Sequence, residues 1–578
     1  MKKKIYVLSG FLLLIIVGAM LAVPSDIYAQ SQRTMGLITR DTRAFEGYNL
    51  FKTLSGGTFH LTDNAGNLIH SWGPYPGTRG VYHLLENGNL LLGAGRKTVF
   101  EVNWKGELQW TFFRNEYRAH HDWCKLPNGN VLMIAWETKT RQEAEAAGRN
   151  PLTIPNSGAD ANQLWPDAIL EYNPKTDIIV WEWHSWDHII QDFDQSKPTY
   201  GDVSKHPEMI DLNYFHPLSY LGADWQHFNA INYNPVLDQI AISVPTFGEI
   251  WIIDHSTTLA QAKTDQGGRY GRGGRLLYRW GNPAAHRGEG LTQLEFQHDV
   301  QWIKPGCPGA GNLLIFNNGA YREYSSVVEI VTPVDSNGFY TQPTPGGAFG
   351  PAGPIWEYVA PVSSDFYSNF ISGAQRMPNG NTVINEGDDG IFFEVTPDKK
   401  IVWKYINPVA FIGGSEKALT QGKPLEGDRA VHRMIRYAPD FAGLADKVLI
   451  PGDPLEQYQY FPIVDIKPGS CENPVNRTSK GVLPVVILGS KDVNVKTIDP
   501  KSILLEGFPP SKWSIEDVSN SKTCYGGDGF PDLVLKWDSE LIKVALGNAS
   551  KGNEYPMRLT GYSPGEWFLG REQVLIVK

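Results

Sequence analysis

The sequence predicts an all-β fold: a six-bladed β-propeller followed by a small C-terminal β-sandwich. Three observations lead there. The composition, with Gly 59, Pro 39, Trp 18 and Tyr 25 in 578 residues, favours many short strands joined by tight turns over long helices. An Asn-Gly hairpin signal recurs along the chain, and so does a β run that ends some residues later in tryptophan. At 578 residues the chain is too long for one ordinary core, so more than one domain is expected. Hydrophobic residues at 41% and charged residues at 20% place it among folded globular chains. The net charge of -10 argues against a nucleic-acid partner, which would need a surplus of Lys and Arg.

The first element is a leader. Lys2, Lys3 and Lys4 form a positive start, Ile5 to Val23 is an almost unbroken apolar run, and small Ala29 stands at the expected cleavage position. Residues 1–29 therefore read as a signal peptide, with an uncleaved membrane anchor as the competing reading. Removal of the leader places the protein in the periplasm or outside the cell, with no membrane attachment, where disulfides are allowed.

The propeller is expected over residues 30–450. Its inner hairpins read Leu84-Leu85-Glu86-Asn87-Gly88-Asn89-Leu90, Leu126-Pro127-Asn128-Gly129-Asn130-Val131 and Met377-Pro378-Asn379-Gly380-Asn381-Thr382, with a degenerate copy at Gly311-Asn312-Leu313-Leu314. Asn-Gly between apolar runs is a strong hairpin signal, because its turn needs positive φ. The outer hairpins run from Val99–Val102 to Trp110, Ile169–Tyr172 to Trp181, Ile250–Asp254 to Trp280, Val327–Ile330 to Trp356 and Phe392–Val395 to Trp403. A half-copy, Thr58–Leu61 to Trp72, lacks an inner hairpin. Val431–Tyr437 and Lys447–Ile450 are expected to complete it from the other end, closing the ring. A long twisted sandwich of hairpins is the alternative. Insertions near 138–166, 184–222, 255–275, 332–353 and 408–428 read as loops over one face.

Pro451-Gly452-Asp453-Pro454 opens a linker over 451–463, and short β runs over 464–578 read as the sandwich. Cys471 and Cys524 are its only cysteines, and in an exported domain they are expected to pair. Asp528 to Asp532 lies in an oxygen-rich loop without EF-hand spacing, which reads as an Asp-rich turn in preference to a calcium site.

Three histidines stand just before an inner strand: His121, His227 and His298, with Asn229 two residues beyond His227. Gly80 and Ser372 occupy the corresponding place in other repeats, and His432 lies near the closing strand. Imidazoles converging on an axial funnel admit three readings. They are structural hydrogen-bonding groups, a three-histidine metal site, or a covalent histidine catalyst whose neighbours steady an anionic group in transfer.

The strings His121-Asp122-Trp123, Asp224-Trp225-Gln226-His227-Phe228-Asn229, Gln297-His298-Asp299 and Phe316-Asn317-Asn318-Gly319 resemble those of bacterial arylsulfate sulfotransferases. So does Gln375-Arg376-Met377-Pro378-Asn379-Gly380-Asn381 before Phe393-Glu394-Val395. The resemblance covers residues 45–450. It implies a six-bladed propeller that moves a sulfuryl group from an aryl sulfate to a phenol, with no nucleotide donor, cofactor or metal. It further implies that His298 becomes transiently sulfated while His121, His227 and Asn229 hold the sulfuryl oxygens. Where the family carries an arginine, this chain has Pro245, so Arg322 or Arg376 is expected to reach the funnel instead. The expected partners are then an aryl sulfate and a phenolic acceptor, with homo-oligomerisation left open. A non-catalytic propeller that binds glycan or protein, and a metal-dependent hydrolase or lyase, are the alternatives.

Overall fold

The computed structural model describes residues 32–95, 97–215, 222–518, 526–547 and 549–578. The leader over 1–29 and Cys524 lie outside the described residues. The chain is all-β; among the described residues the α-helices are the short Arg141–Ala146 and Ser539–Leu546.

Six antiparallel sheets of repeated pattern follow one another along the chain. Sheet 2 holds His83–Leu84, Leu90–Ala94, Thr98–Val102 and Leu108–Phe113, and sheet 3 holds Arg118–Lys125, Val131–Trp136, Asp167–Asn173 and Ile178–His184. Sheet 4 is Ala230–Asn234, Gln239–Val244, Glu249–Asp254 and Tyr278–Trp280; sheet 5 is His298–Trp302, Leu313–Asn317, Ser326–Ile330 and Trp356–Tyr358. Sheet 6 comprises Gly373–Arg376, Thr382–Glu386, Ile391–Val395 and Ile401–Ile406, with Gly36–Arg40 added at its edge.

Sheet 1 is assembled from both ends of the repeat region. Ile435–Tyr437 pairs with Tyr48–Phe51, which continues through Phe59–Thr62 to Leu68–Trp72. Two details differ from the sequence reading. Lys447–Ile450 forms no strand, and its expected place is taken by Tyr48–Phe51. Only one strand crosses over from the far end, because Tyr48–Phe51 already supplies a buried apolar edge for it to extend.

The Asn-Gly-Asn turns do more than reverse the chain. In the second of them Asn128 Oδ1 accepts the Asn130 N–H at 2.9 Å, and Gly129 sits at φ 88°, a conformation that suits glycine. Asn130 Nδ2 then donates to Glu171 on the third strand of the same sheet, at 2.5 Å. Asn89 to Glu101, Asn312 to Glu329 and Asn381 to Glu394 repeat the contact. Each glutamate also takes a cationic or imidazole group from the following sheet. Lys125 reaches Glu101 at 3.3 Å, His255 reaches Glu171 at 2.9 Å, and Arg376 reaches Glu329 at 2.7 Å. Arg436 of sheet 1 closes on Glu394 of sheet 6, both fully buried. Such pairs hold register between sheets, since either partner left alone would be a buried uncompensated charge.

Beyond residue 463, two four-stranded sheets share one apolar core that includes Ile466, Val485, Leu535, Trp537, Leu559 and Phe568. One contains Val482–Ile487 and Asp532–Asp538, the other Glu554–Ser563 and Glu566–Ile576. The helix Ser539–Leu546 is an addition that the β pattern did not announce. Asp538 caps it by accepting the Glu540 N–H, and Ile542 and Leu546 face the core. Cys471 is disulfide-bonded, whereas Cys124 and Cys307 are free. Asp517 accepts the N–H groups of Asp528 and Gly529, each at 2.9 Å. This unit docks on the first strands of the chain, where Arg40 donates to the Glu506 carbonyl at 2.7 Å and Asn67 to its carboxylate at 2.9 Å.

Candidate active site

The three sequence-selected histidines do not share one ladder position. His298 pairs directly with Phe316, at the start of its strand. His121 lies in a bulge of Arg118–Lys125, and His227 stands three residues ahead of Ala230, the first residue of its strand. His121 and His227 nevertheless adopt the same left-handed backbone, at φ 56° and 57°; in sheet 5 that conformation falls on Asp299, one residue after His298. Left-handed backbone is uncommon for histidine and marks places where side-chain aim outweighs local strain.

The consequence is a cluster of five imidazoles, in which the His120 ring lies 4.9 Å from that of His121. The His121 and His227 rings lie 4.5 Å apart between centroids, those of His121 and His432 6.2 Å, and those of His432 and His298 6.5 Å. His121, His227 and His432 line a cavity of about 400 Å³. Aromatic Trp123 and Trp136 form part of its wall, and Gly80 and Gly93 make room for Trp123. His298 lies one ring behind His432 and is not part of the lining.

His298, His227 and His120 are oriented by identifiable partners. His298 Nδ1 lies 2.8 Å from Asn318 Oδ1 and 3.1 Å from the Phe296 carbonyl. The Asn318 amide nitrogen donates to the carbonyls of Ser368 and Ile371, at 2.8 and 3.0 Å, so its oxygen must be the group facing the imidazole. His298 is therefore the Nδ1–H tautomer, and Nε2 keeps its lone pair. His227 Nδ1 sits 2.5 Å from Asp224 Oδ2, whose other oxygen accepts the Trp136 indole N–H at 2.9 Å. His120 stacks on Trp136 with 3.7 Å between centroids and reaches Asp167 at 2.8 Å.

Burial sets the charge of this cluster. It lowers His298 to about 4, and it pushes His121 and His432 well below the usual imidazole range. These rings are neutral at neutral pH. Arg433 lies behind them as a buried cation, 3.1 Å from Asp122 and 3.1 Å from Asp299, the carboxylates that follow His121 and His298 in sequence. On the rim, Lys52 Nζ donates to the carbonyls of Thr53, Leu54 and Gly56, each at 2.9 Å, holding the turn that brings Leu54 and Ser55 to the cavity.

The other sequence-selected residues have different positions. Asn229 is fully buried and donates to the Gln297 carbonyl at 2.9 Å, next to His298, without reaching the cavity lining. Arg376 is the partner of Glu329 described above and covers the Trp356 ring. Arg322 donates to the Tyr324 carbonyl and the Ser326 hydroxyl. Neither arginine lines the cavity, because each charge is already engaged within sheet contacts. Pro245 is buried in a one-turn 3-10 segment, Pro245–Phe247, also away from the lining. Sequence reasoning did not single out Asn318, Asp224, Arg433 or Arg79 in these roles; the repeated His-Asp dipeptide was the one available pointer to Arg433. Among the described residues, no group of three or more His, Cys, Asp or Glu side chains is arranged to hold a metal.

Comparison with known proteins gives a family. No curated protein matches the chain. Among solved structures it is similar to a protein of unknown function from Bacteroides caccae, at 12% identity and TM-score 0.36, over 68% of this chain and 99% of that one. It is also similar to a streptogramin B lyase (9%, TM-score 0.32, 70% and 94%) and to virginiamycin B lyase from Staphylococcus aureus (9%, TM-score 0.30, 66% and 92%). The family model for arylsulfotransferase (ASST) matches residues 49–410, well over half of the sequence and all of the histidine cluster except His432. The chain belongs to the arylsulfotransferase family.

Proposed function

We propose that this protein is an exported arylsulfate sulfotransferase that works through a sulfohistidine at His298. The observation that carries the reading is the tautomer of His298: a neutral imidazole, held through Nδ1, that keeps the Nε2 lone pair beside a cluster of neutral rings. Nε2 attacks the sulfur of an aryl sulfate, the S–O(aryl) bond breaks, and its electron pair leaves on the phenolate. The acceptor phenol then gives its proton to Nε2 of His227, whose Nδ1–H is held by Asp224. Its oxygen attacks the sulfur, and the N–S electron pair returns to His298. The proton passes from His227 to the departed phenolate, so one aryl sulfate and one phenol are exchanged for another pair. Transfer of this kind resembles phosphoryl transfer, in which fixed donors around the equatorial oxygens carry most of the catalysis. His121 is the donor nearest to that role, and Asn229 acts by positioning the His298 strand through Gln297.

The six sheets are read as blades of one closed propeller over residues 30–450. Linker 451–463 leads to a sandwich over 464–578, in which Cys471 pairs with Cys524. Support comes from the repeated glutamate contacts between consecutive sheets and from the pairing of Ile435–Tyr437 with Tyr48–Phe51. Export to the periplasm or beyond rests on the leader over 1–29. No helix among the described residues is long and apolar enough to cross a membrane.

The decisive experiment incubates the protein with a chromogenic aryl sulfate and no acceptor. A stoichiometric burst of phenol and an acid-labile sulfuryl group on the peptide containing His298 are expected, and both should vanish in His298→Ala. Phenol release that persists in His298→Ala would overturn the covalent route.

A further inference from the structure

We propose that Arg79 is the anion-binding residue of the cavity, and that it selects monoanionic sulfate esters over dianionic phosphate monoesters. The inference rests on the sulfotransferase reading above and adds to it the residue that recognises the transferred group. Among the described residues, Arg79 is the one Arg or Lys whose side chain lines the cavity. Its side chain is exposed, and among the described residues it makes no ion pair and no hydrogen bond. Asp224, the only carboxylate in the lining among the described residues, is engaged by His227 and Trp136.

The backbone fixes where this guanidinium starts. Arg79 N–H donates to the Gly93 carbonyl at 3.0 Å, and Val81 N–H donates to the His121 carbonyl at 2.7 Å. Arg79 is thus anchored on the wall that carries His121. Lys52, the other cation near the site, stands outside the lining, caps three carbonyls and faces the carboxylates of Glu416 and Asp428. Arg433 is matched by Asp122 and Asp299, and His121, His298 and His432 are neutral. One positive charge open to the cavity suits a sulfate ester, which carries a single negative charge. A phosphate monoester above pH 7 carries nearly two. Its second charge would meet only neutral rings and Asp224, an uncompensated cost in a partly dry site.

The test uses two non-transferable probes, an aryl sulfonate and the matching aryl phosphonate, titrated calorimetrically into the full protein at pH 8. The sulfonate should bind the native protein roughly 10- to 100-fold more tightly than Arg79→Gln, with partial recovery in Arg79→Lys, as for loss of a charge-assisted hydrogen bond. The phosphonate should bind at least about 10-fold more weakly than the sulfonate. Because Arg79 is exposed, Arg79→Gln should keep the native melting temperature, which separates lost recognition from misfolding. Equal sulfonate binding by native protein and Arg79→Gln, or no binding by either, overturns the role of Arg79. Equal binding of the two probes overturns the selectivity. Arg79-dependent sulfonate binding in a protein that forms no adduct on His298 would leave this inference standing and refute the transfer reading.

Discussion

Asn318 accepts the Nδ1 proton of His298 at 2.8 Å while its own amide protons are spent on the carbonyls of Ser368 and Ile371. An asparagine fixed in this way cannot turn its amide to face the imidazole. It therefore decides which nitrogen of His298 is bare. Asn318→Ala should slow formation of the sulfuryl adduct roughly 10- to 100-fold without abolishing it, as expected for a positioning group. Imidazole ¹⁵N spectra should change from a single Nδ1–H form in the native protein to a mixture. An unchanged tautomer in Asn318→Ala would remove the residue from the mechanism.

The buried histidines predict an acid limit to stability. Burial lowers His60, His188 and His298 to about 4 and His286 to about 3, against 6.5 for an unburied imidazole. Between those values the unfolded chain binds protons that the folded chain refuses. Their contribution is complete above pH 6.5 and is lost as pH falls toward 4. His184 and His255 act in the opposite direction. Each is raised to about 9 by paired carboxylates against the cost of burial, so their contribution is complete below 6.5 and is lost as pH rises through 9. The melting temperature should peak between these windows and fall on both sides. A melting temperature that stays flat from pH 6.5 down to 4 would contradict the assignment of the buried rings.

Arg376 should behave as a structural residue. Its ion pair with Glu329 is almost entirely enclosed, at 8% and 7% side-chain exposure. Arg376→Ala should cost about 3–5 kcal/mol, because it strands a buried carboxylate, and leave the KM for aryl sulfate within about twofold, as for a group that touches no substrate. A raised KM with native stability would restore a substrate role.

The glycines of the cavity wall should separate crowding from backbone strain. At Gly93 an added Cβ would lie 2.2 Å from the Trp123 ring, and Trp123 is buried. Gly93→Ala should cost about 1–3 kcal/mol by overpacking and displace Trp123 into the cavity. At Gly95 an added Cβ meets nothing within 4 Å, but φ is 63°. Gly95→Ala should cost only about 1–2 kcal/mol, through conformation alone. Tryptophan fluorescence should shift in the first variant and not in the second.

Much of the sheet architecture was legible because the chain states it repeatedly. The Asn-Gly-Asn turns bind the same glutamates that open the outer hairpins, so one local pattern carries both the hairpin and its register. Gly36–Arg40 was missed because an edge strand of five residues, added to an already complete sheet, need not alternate. Lys447–Ile450 looked like a strand by composition but had no free edge left to join. At the site, His121 and His227 were legible from their place ahead of inner strands. Arg79 and Asn318 were not, since their roles depend on which charges and amides remain unspent after folding. Arg376 illustrates the converse: its charge was visible in the sequence, and its engagement by Glu329 was not.

The split first sheet has a consequence for how the molecule comes into being. Arg436 donates to Asn49 across 387 intervening steps of chain, and His432 and Arg433 of the cluster lie just before that crossover strand. Synthesis must therefore pass residue 437 before the cavity can exist, and every earlier fragment carries an unfilled sheet edge. Contacts of such long sequence separation form slowly. The strand that finishes the structure therefore also sets the time at which the cavity first exists.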